Sequence, residues 1–198
     1  NTTADGSLLL SLEDMVAWAR AARDHRVIAE SSWARVQSKV VLNSGKPYPY
    51  GMGWFVEELN GRPYLQHGGS WQGFRTQFSY FAGSDLTVIV LGNSRTTDPL
   101  GIANRLAAAV DPSLAPPAPP STPLAGVDPA ISAYVKQVLE KTQRGELTMA
   151  DFEFMRQTMV PRMSAAYAAM LKPLGAVQQV EPLSRSFEGD DTVYTFRV

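Results

Sequence analysis

Three short runs of sequence decide the fold of this chain: Tyr50-Gly-Met-Gly-Trp-Phe-Val56, His67-Gly-Gly-Ser70 and Gly73-Phe-Arg-Thr76. Together they predict one strand, a tight hairpin and a second strand whose backbone is bare at consecutive glycines. Adjacent glycines fill a sheet core poorly, so they are typical of places where a ligand or another backbone approaches closely. Because a histidine comes directly before them, the pattern indicates the edge strand of an active site.

The sequence around these runs predicts an antiparallel meander of about four strands. Asn60-Gly61 is a strong hairpin signal, because a type I′ turn needs positive φ at both of its central residues. Strands are expected at residues 50–58, 62–68, 74–81 and 86–91. The last of these is a continuous apolar run, which favours a central strand that is buried on both faces.

Helices are expected before and after the meander. Ser11-Leu-Glu-Asp14 is a capping box, in which the serine hydroxyl accepts from the Asp14 amide and the carboxylate reaches back. A short second helix is expected from residue 32 to residue 40. A third helix, at residues 98–110, could cover one face of the sheet.

A proline-rich segment is the one clear domain boundary in the sequence. Six of the fourteen prolines fall within residues 111–123, which predicts a semi-rigid extended spacer. The predicted organisation is a domain at residues 1–110, a linker at 111–126 and a small α+β domain at 127–198. The small domain is expected to contain helices at 129–141 and 149–171, the second kinked at Pro161, and two strands within 178–198. The predicted fold class is therefore α+β, an antiparallel sheet flanked by helices, with a small α+β domain after it.

The composition argues against several classes of function. A net charge of −1 without a Lys/Arg-rich run offers no electrostatic surface for nucleic acid, and no apolar run is long enough for a membrane span. The chain has no cysteine, which excludes disulfides, thiolate metal sites and cysteine nucleophiles. With two histidines in the whole sequence, a histidine-rich zinc site is not expected either, so we expect neither a metal nor a cofactor.

Five features follow one another in a recognisable order: the capped helix at 11–18, Tyr50-Gly-Met-Gly-Trp54, His67-Gly-Gly69, Gly73-Phe74 and Leu91-Gly-Asn93. This order resembles the C-terminal half of the superfamily of serine β-lactamases, penicillin-binding proteins and esterases, and in particular its class C-like branch. The His-x-Gly run looks like the third active-site motif of that superfamily, which is Lys-Thr-Gly in many relatives. The resemblance covers roughly residues 1–110 and implies part of a β-lactamase/transpeptidase-like fold.

The resemblance implies roles for residues 67–71. The backbone amide of Ser70 would be one donor of the oxyanion hole, while Gly68 and Gly69 would let the acyl group of a substrate lie along the strand. His67 would lie near the leaving group or the substrate carboxylate, and an imidazole could carry a proton there. Trp71 follows the glycines and is expected to contact substrate. The other aromatic residues of the sheet are expected in its core: Trp54, Phe74 and Phe81.

The catalytic motifs of the superfamily are incomplete in this sequence. Its nucleophile lies in Ser-x-x-Lys, yet none of the five lysines has a serine three residues earlier. The second motif, Tyr-x-Asn or Ser-x-Asn, is absent as well. Both motifs precede the present region in the superfamily. The chain is therefore expected to be the C-terminal portion of a larger hydrolase, with the missing N-terminal half of the fold as its partner.

Ser70 itself makes a poor candidate for the nucleophile. The run Gly68-Gly-Ser-Trp-Gln72 departs from Gly-x-Ser-x-Gly at its last position. The nucleophile elbow also needs a strand followed by a helix, whereas a second strand is expected here. We therefore expect Ser70 to contribute its backbone amide rather than its hydroxyl.

Two functions remain open from the sequence. The first is a serine hydrolase that transfers the acyl group of a β-lactam, peptide or small ester to water, with a periplasmic or extracellular location implied by the resemblance. The second is a non-catalytic interaction module that binds an extended peptide along the glycine strand. In both cases the expected partner is a small molecule or a peptide.

Overall fold

The computed structural model describes residues 8–153 and 159–198. They divide into two compact units, residues 8–118 with Glu188–Asp190 and residues 119–187 with Asp191–Val198. The first unit contains these helices and strands: α1 (Leu12–Arg23), α2 (Glu30–Val36), β1 (Val40–Val41), β2 (Pro47–Tyr48), β3 (Phe55–Leu59), β4 (Arg62–Trp71), β5 (Phe74–Phe81), β6 (Leu86–Gly92) and α3 (Pro99–Val110).

Strands β3 to β6 form one antiparallel sheet in chain order, which confirms the predicted meander. Its first turn is the predicted one, with φ of 51° at Asn60 and 73° at Gly61. The turn between β4 and β5 also has two residues with positive φ, 47° at Gln72 and 98° at Gly73. The expectation that β4 ends at Gly68 is therefore wrong, because the strand continues to Trp71.

The segment before β3 also differs from the prediction. Residues 50–54 were expected to be strand, but only a single bridge joins Tyr50 to Phe55 before β3 begins. A Cβ atom on Gly51 would collide with the backbone carbonyls of the chain after α2, and Gly53 has a φ of 85°. The glycines of this motif thus shape a tight loop rather than a strand.

The two faces of the sheet pack against different helices. On one face, buried Leu65 packs with Ala22 of α1 and Trp33 of α2. On the other face, buried Phe81 and Val88 pack with the small residues of α3, which are Ala103 and Ala107. The predicted α+β class, a sheet flanked by helices, is therefore observed.

Two expectations about burial are wrong. Strand β6 lies at an edge of the described sheet, and of its residues only Val88, which packs with α3, is buried, while Leu91 on the other face is 43% exposed. Phe74 is 56% exposed beside the turn of the second hairpin. Trp54 and Phe81 do lie in or against the core, with Phe81 only 1% exposed.

The helix caps follow the sequence closely. The Ser11 hydroxyl accepts from the Asp14 amide at 3.1 Å, and the Ser11 amide donates to the Asp14 carboxylate at 2.9 Å, so the predicted capping box is confirmed. Asp98 caps α3 by accepting from the amide of Gly101 at 3.0 Å. Helix α2 begins two residues earlier than expected and ends at Val36 rather than at residue 40.

The second unit contains α4 (Pro129–Arg144), α5 (Met159–Leu171) and the antiparallel hairpin of β7 (Glu181–Glu188) and β8 (Asp191–Arg197). The single helix expected at 149–171 is wrong at its start. Met149–Asp151 forms one 3-10 turn, and Phe152 is extended with φ of −147° and ψ of 140°. Residues 154–158 of that prediction lie outside the described residues. Pro161 lies within the described part of α5.

Candidate active site

The sequence His67-Gly-Gly-Ser-Trp71 lies in the second half of β4, beyond the end of β3. The pairing of β3 with β4 stops at Phe55 and Gln66, whereas β5 continues to pair with β4 up to Trp71. Past Gln66, no strand among the described residues covers the β3 side of β4. This half of β4 therefore has an open edge.

The register shows which backbone groups face that open edge. In an antiparallel sheet the amide and carbonyl groups of successive residues point to opposite neighbours. The closing pairs of the two hairpins, Leu59 with Arg62 and Trp71 with Phe74, fix the alternation. Even-numbered residues of β4 point towards β3 and odd-numbered residues towards β5. The Ser70 amide therefore points to the open edge, as an oxyanion donor held on a rigid strand must.

Side chains alternate in the same way across the two faces. The side chains of His67 and Trp71, and the missing one of Gly69, belong to the face that carries α1 and α2. Trp71 is 44% exposed, in line with its expected separation from the core. The Ser70 side chain belongs to the opposite face, so its hydroxyl and the residues of the His67 face do not meet.

The two glycines leave room for side chains of β5. A Cβ atom on Gly69 would collide with Oγ1 of Thr76, and one on Gly68 would lie 3.0 Å from Oε1 of Gln77. The sequence predicts close approach of a ligand or another backbone at these glycines. The structure adds a second reason for them, because the side chains of Thr76 and Gln77 lie where Cβ atoms would be.

His67 is hydrogen-bonded within the protein through both ring nitrogens. Its Nδ1 lies 2.8 Å from the carbonyl oxygen of Gly68, and its Nε2 lies 3.1 Å from the hydroxyl of Tyr50. The ring also lies beside those of Tyr50 and Phe55, with centroid distances of 6.0 Å and 5.8 Å. Sequence reasoning included Tyr50 in a motif but missed it as a partner of His67.

An open groove of about 290 Å³ runs beside His67 on the α1 face of the sheet. The polar residues of its lining include His67 and Thr76. Its apolar lining includes Leu10, Met15, Trp18, Trp54, Phe78 and Leu91. The site thus combines an apolar wall with a few polar groups, as small-molecule and peptide sites commonly do.

A buried polar network supports β4 from the other face. The carboxylate of Glu57 accepts from the Tyr64 hydroxyl and from the Gln66 amide group, both at 3.0 Å. Gln77 donates to Gln66 at 2.9 Å and to the Ser79 hydroxyl at 3.1 Å. Burial, together with the negative charge of Glu57, raises the pKa of Tyr64 above its ordinary value. Glu57 is half-buried, and this network uses its carboxylate.

The remaining chemistry of the site is limited. Ser70 is followed by a two-residue turn and strand β5, so it does not lie on the strand-to-helix turn of a nucleophile elbow. Across residues 8–153 and 159–198, no group of three or more His, Cys, Asp or Glu side chains could hold a metal ion. In the same part of the chain, no helix has the length and apolar character that a membrane span needs.

Residues 2–111 match the family model described as Beta-lactamase, which is more than half of the chain. The chain therefore belongs to the β-lactamase family.

Curated relatives carry the same region. A D-aminopeptidase from Gluconobacter oxydans is 34% identical over 108 residues, which is 54% of this chain and 21% of the relative. A D-aminopeptidase from Brucella ovis is 33% identical over 89 residues, or 45% of this chain and 17% of the relative. The matched region thus spans about a fifth of the length of these relatives.

Proposed function

We propose that this chain supplies one wall of the active site of a serine hydrolase that transfers an acyl group to water. The observation that supports this most strongly is the direction of the Ser70 amide, which points to the open edge of β4. Gly68 and Gly69 bring the backbone of β4 close to any acyl group beside it. His67 lies at the start of this stretch and borders the groove.

The serine nucleophile, in this proposal, comes from outside these 198 residues. No Ser-x-x-Lys run is present in the sequence, and the matched region covers about a fifth of the related D-aminopeptidases. Leu10, Trp18 and Leu91 are exposed around the apolar groove beside His67. These side chains support the proposal that a further part of the fold packs against this face. Such a partner would remove a contiguous apolar surface from water.

The proposed substrate is a peptide or another acyl compound, a β-lactam or small ester included. Because the relatives are named D-aminopeptidases, a D-amino acid amide is the first substrate to test. The proposed location, periplasmic or extracellular, follows only from the family.

Two substitutions at one position test the oxyanion role in the full-length protein. Ser70→Pro removes the backbone donor, and an edge strand tolerates proline where the amide faces outwards. Ser70→Ala keeps the donor and is the matched control. We expect Ser70→Pro to lower kcat by about 10²–10³-fold while Ser70→Ala stays near wild type. Equal activity of the two folded variants would contradict the proposal.

The open edge of β4 also fits the alternative function, because an extended peptide could pair with it as an added strand. Intact mass after treatment with a fluorophosphonate separates the two possibilities. A hydrolase should give a stoichiometric adduct on the full-length protein and none on the 198-residue chain alone. A full-length protein that gives no adduct but binds peptide would favour the interaction module, and an adduct on the short chain would make Ser70 the leading candidate nucleophile.

A further inference from the structure

We propose that Tyr50 is a positioning residue that favours one tautomer of the neutral His67 ring, the one with its proton on Nδ1. The Tyr50 hydroxyl and His67 Nε2 are 3.1 Å apart, and the two residues come from different parts of the fold. The inference rests on the proposed function only where it concerns catalysis. The hydrogen bonds of His67 do not depend on the reaction.

The contact with the Gly68 carbonyl identifies Nδ1 as the nitrogen that carries the proton. A backbone carbonyl can only accept, so the nitrogen that lies 2.8 Å from it, Nδ1 of His67, must donate. In a neutral imidazole the other nitrogen is then an acceptor. The Tyr50 hydroxyl can donate to it, and the two bonds together favour one tautomer.

The register explains why the Gly68 carbonyl can accept a hydrogen bond from His67 rather than from β3. As an even-numbered residue of β4, Gly68 turns its carbonyl towards the side where β3 has already ended. Gln66, two residues earlier, still pairs with Phe55 of β3. Because β3 does not extend beyond Phe55, the Gly68 carbonyl can accept a hydrogen bond from the His67 ring.

The loop before β3 places the Tyr50 hydroxyl. The Tyr50 carbonyl accepts from the Val40 amide at 2.9 Å, and the Tyr50 ring packs edge-on against Phe55 with centroids 4.8 Å apart. The next residue, Gly51, passes so close to the carbonyls of Val36 and Ser38 that a side chain would not fit. The motif Tyr50-Gly-Met-Gly-Trp54 thus specifies the position of a hydroxyl group as well as a turn.

This arrangement has a consequence for the proposed reaction. Both ring nitrogens of His67 are hydrogen-bonded to protein groups. A proton exchanged at Nε2 therefore either passes through the Tyr50 hydroxyl or requires that hydroxyl to move aside. Tyr50 and His67 are thus linked by a hydrogen bond at the start of residues 67–71 of β4.

The tautomer can be measured directly by long-range ¹H–¹⁵N correlation on full-length protein with ¹⁵N-labelled histidine. The signals of His67 are identified from their loss in a His67→Gln variant. We expect wild type to show a protonated Nδ1 and an unprotonated Nε2. Tyr50→Phe should give a mixture of the two tautomers. Tyr48→Phe, which removes a tyrosine hydroxyl two residues away, should match wild type.

Two results would overturn the inference: a proton on Nε2 in neutral wild type, or a Tyr50→Phe spectrum identical to that of wild type. The wild-type spectrum alone tests the proposal, so a variant that fails to fold does not prevent the test. Turnover measured on the same samples separates this inference from the proposed function. A changed tautomer with a lower kcat and an unchanged KM supports both, whereas a changed tautomer with unchanged turnover supports only the role of Tyr50.

Discussion

Oγ1 of Thr76 occupies the space that a side chain on Gly69 would need, across the pairing of β4 with β5. The two residues are direct partners in the register, so their side chains share one face of the sheet. A side chain at Gly69 therefore requires the Thr76 side chain to move, whatever ligand the strand binds. A substitution at this position tests folding before it tests catalysis.

Gly69→Ala should lower the free energy of unfolding by about 1–3 kcal/mol, because the new methyl group overpacks against Thr76. Adding Thr76→Ala should restore part of that loss, as measured by urea denaturation. Gly83→Ala is the matched control, since nothing lies within 4 Å of its added Cβ. If the double variant is no more stable than Gly69→Ala, the contact with Thr76 is not the cause.

In the full-length protein, a Gly69→Val substitution in the Thr76→Ala background addresses the acyl channel. With the neighbouring hydroxyl removed, the valine side chain should extend over the surface where the acyl group is proposed to lie. We expect turnover to be lost while the melting temperature stays close to that of the double alanine variant. Unchanged turnover would count against the placement of the acyl group along β4.

The turn between β4 and β5 carries a residue that is poorly suited to its conformation. Gln72 has a φ of 47°, a region that asparagine tolerates better than glutamine. Gln72→Asn should stabilise the protein by less than about 1 kcal/mol in urea denaturation. The reverse change, Asn60→Gln, should cost more, because Asn60 also donates to the Ser113 carbonyl at 3.1 Å. A destabilising Gln72→Asn would contradict the assigned turn.

The buried network behind β4 should respond as a unit. Gln77→Leu removes the donor to Gln66 and leaves a buried oxygen without its partner, which should cost about 1–3 kcal/mol in unfolding free energy. The double variant with Gln66→Leu should lose less than the sum of the single variants, since both partners of the bond are then apolar. Strict additivity would show that the two side chains do not interact.

Asp111 makes stability depend on pH. Hydrogen bonds from Ser113 and then Ser84 lower the pKa of this carboxyl group to about 2. A carboxyl whose folded pKa lies below its unfolded value of 3.8 stabilises the fold above that value, and the effect disappears as pH falls towards 2. Asp111→Asn should therefore lower the melting temperature above pH 4 and approach wild type near pH 2.

The matched control for this pH series is Glu58→Gln, which changes an exposed carboxylate. Its melting temperature should follow that of wild type at every pH. A constant difference between Asp111→Asn and wild type from pH 7 to pH 2 would contradict the assigned cause.

Local signals in the sequence predicted much of the fold. The capping box at Ser11, the turn at Asn60-Gly61 and the start of α3 at Asp98 all depend on neighbouring residues, and the structure confirms each of them. The period-2 pattern of β5 fixed its bounds as well. Such features can be predicted from the sequence because their interactions span only a few residues.

The errors concern features that depend on distant neighbours. An apolar run such as Leu86–Gly92 indicates burial, but not whether a strand lies at the centre or edge of a sheet. The loop at Gly51 depends on its approach to α2, and the hydrogen bond from Tyr50 to His67 joins residues seventeen positions apart. The direction of the Ser70 amide follows from the end of β3, which only the register shows.

The most direct test of the central claim is a crystal structure of the full-length protein inhibited by a phosphonate, in which the distance from the Ser70 amide nitrogen to the phosphoryl oxygen is measured. The account predicts a hydrogen bond of about 2.7–3.1 Å, with the inhibitor covalently attached to a serine outside these 198 residues. A phosphoryl oxygen held by other donors, with the Ser70 amide bonded to a neighbouring strand, would contradict it.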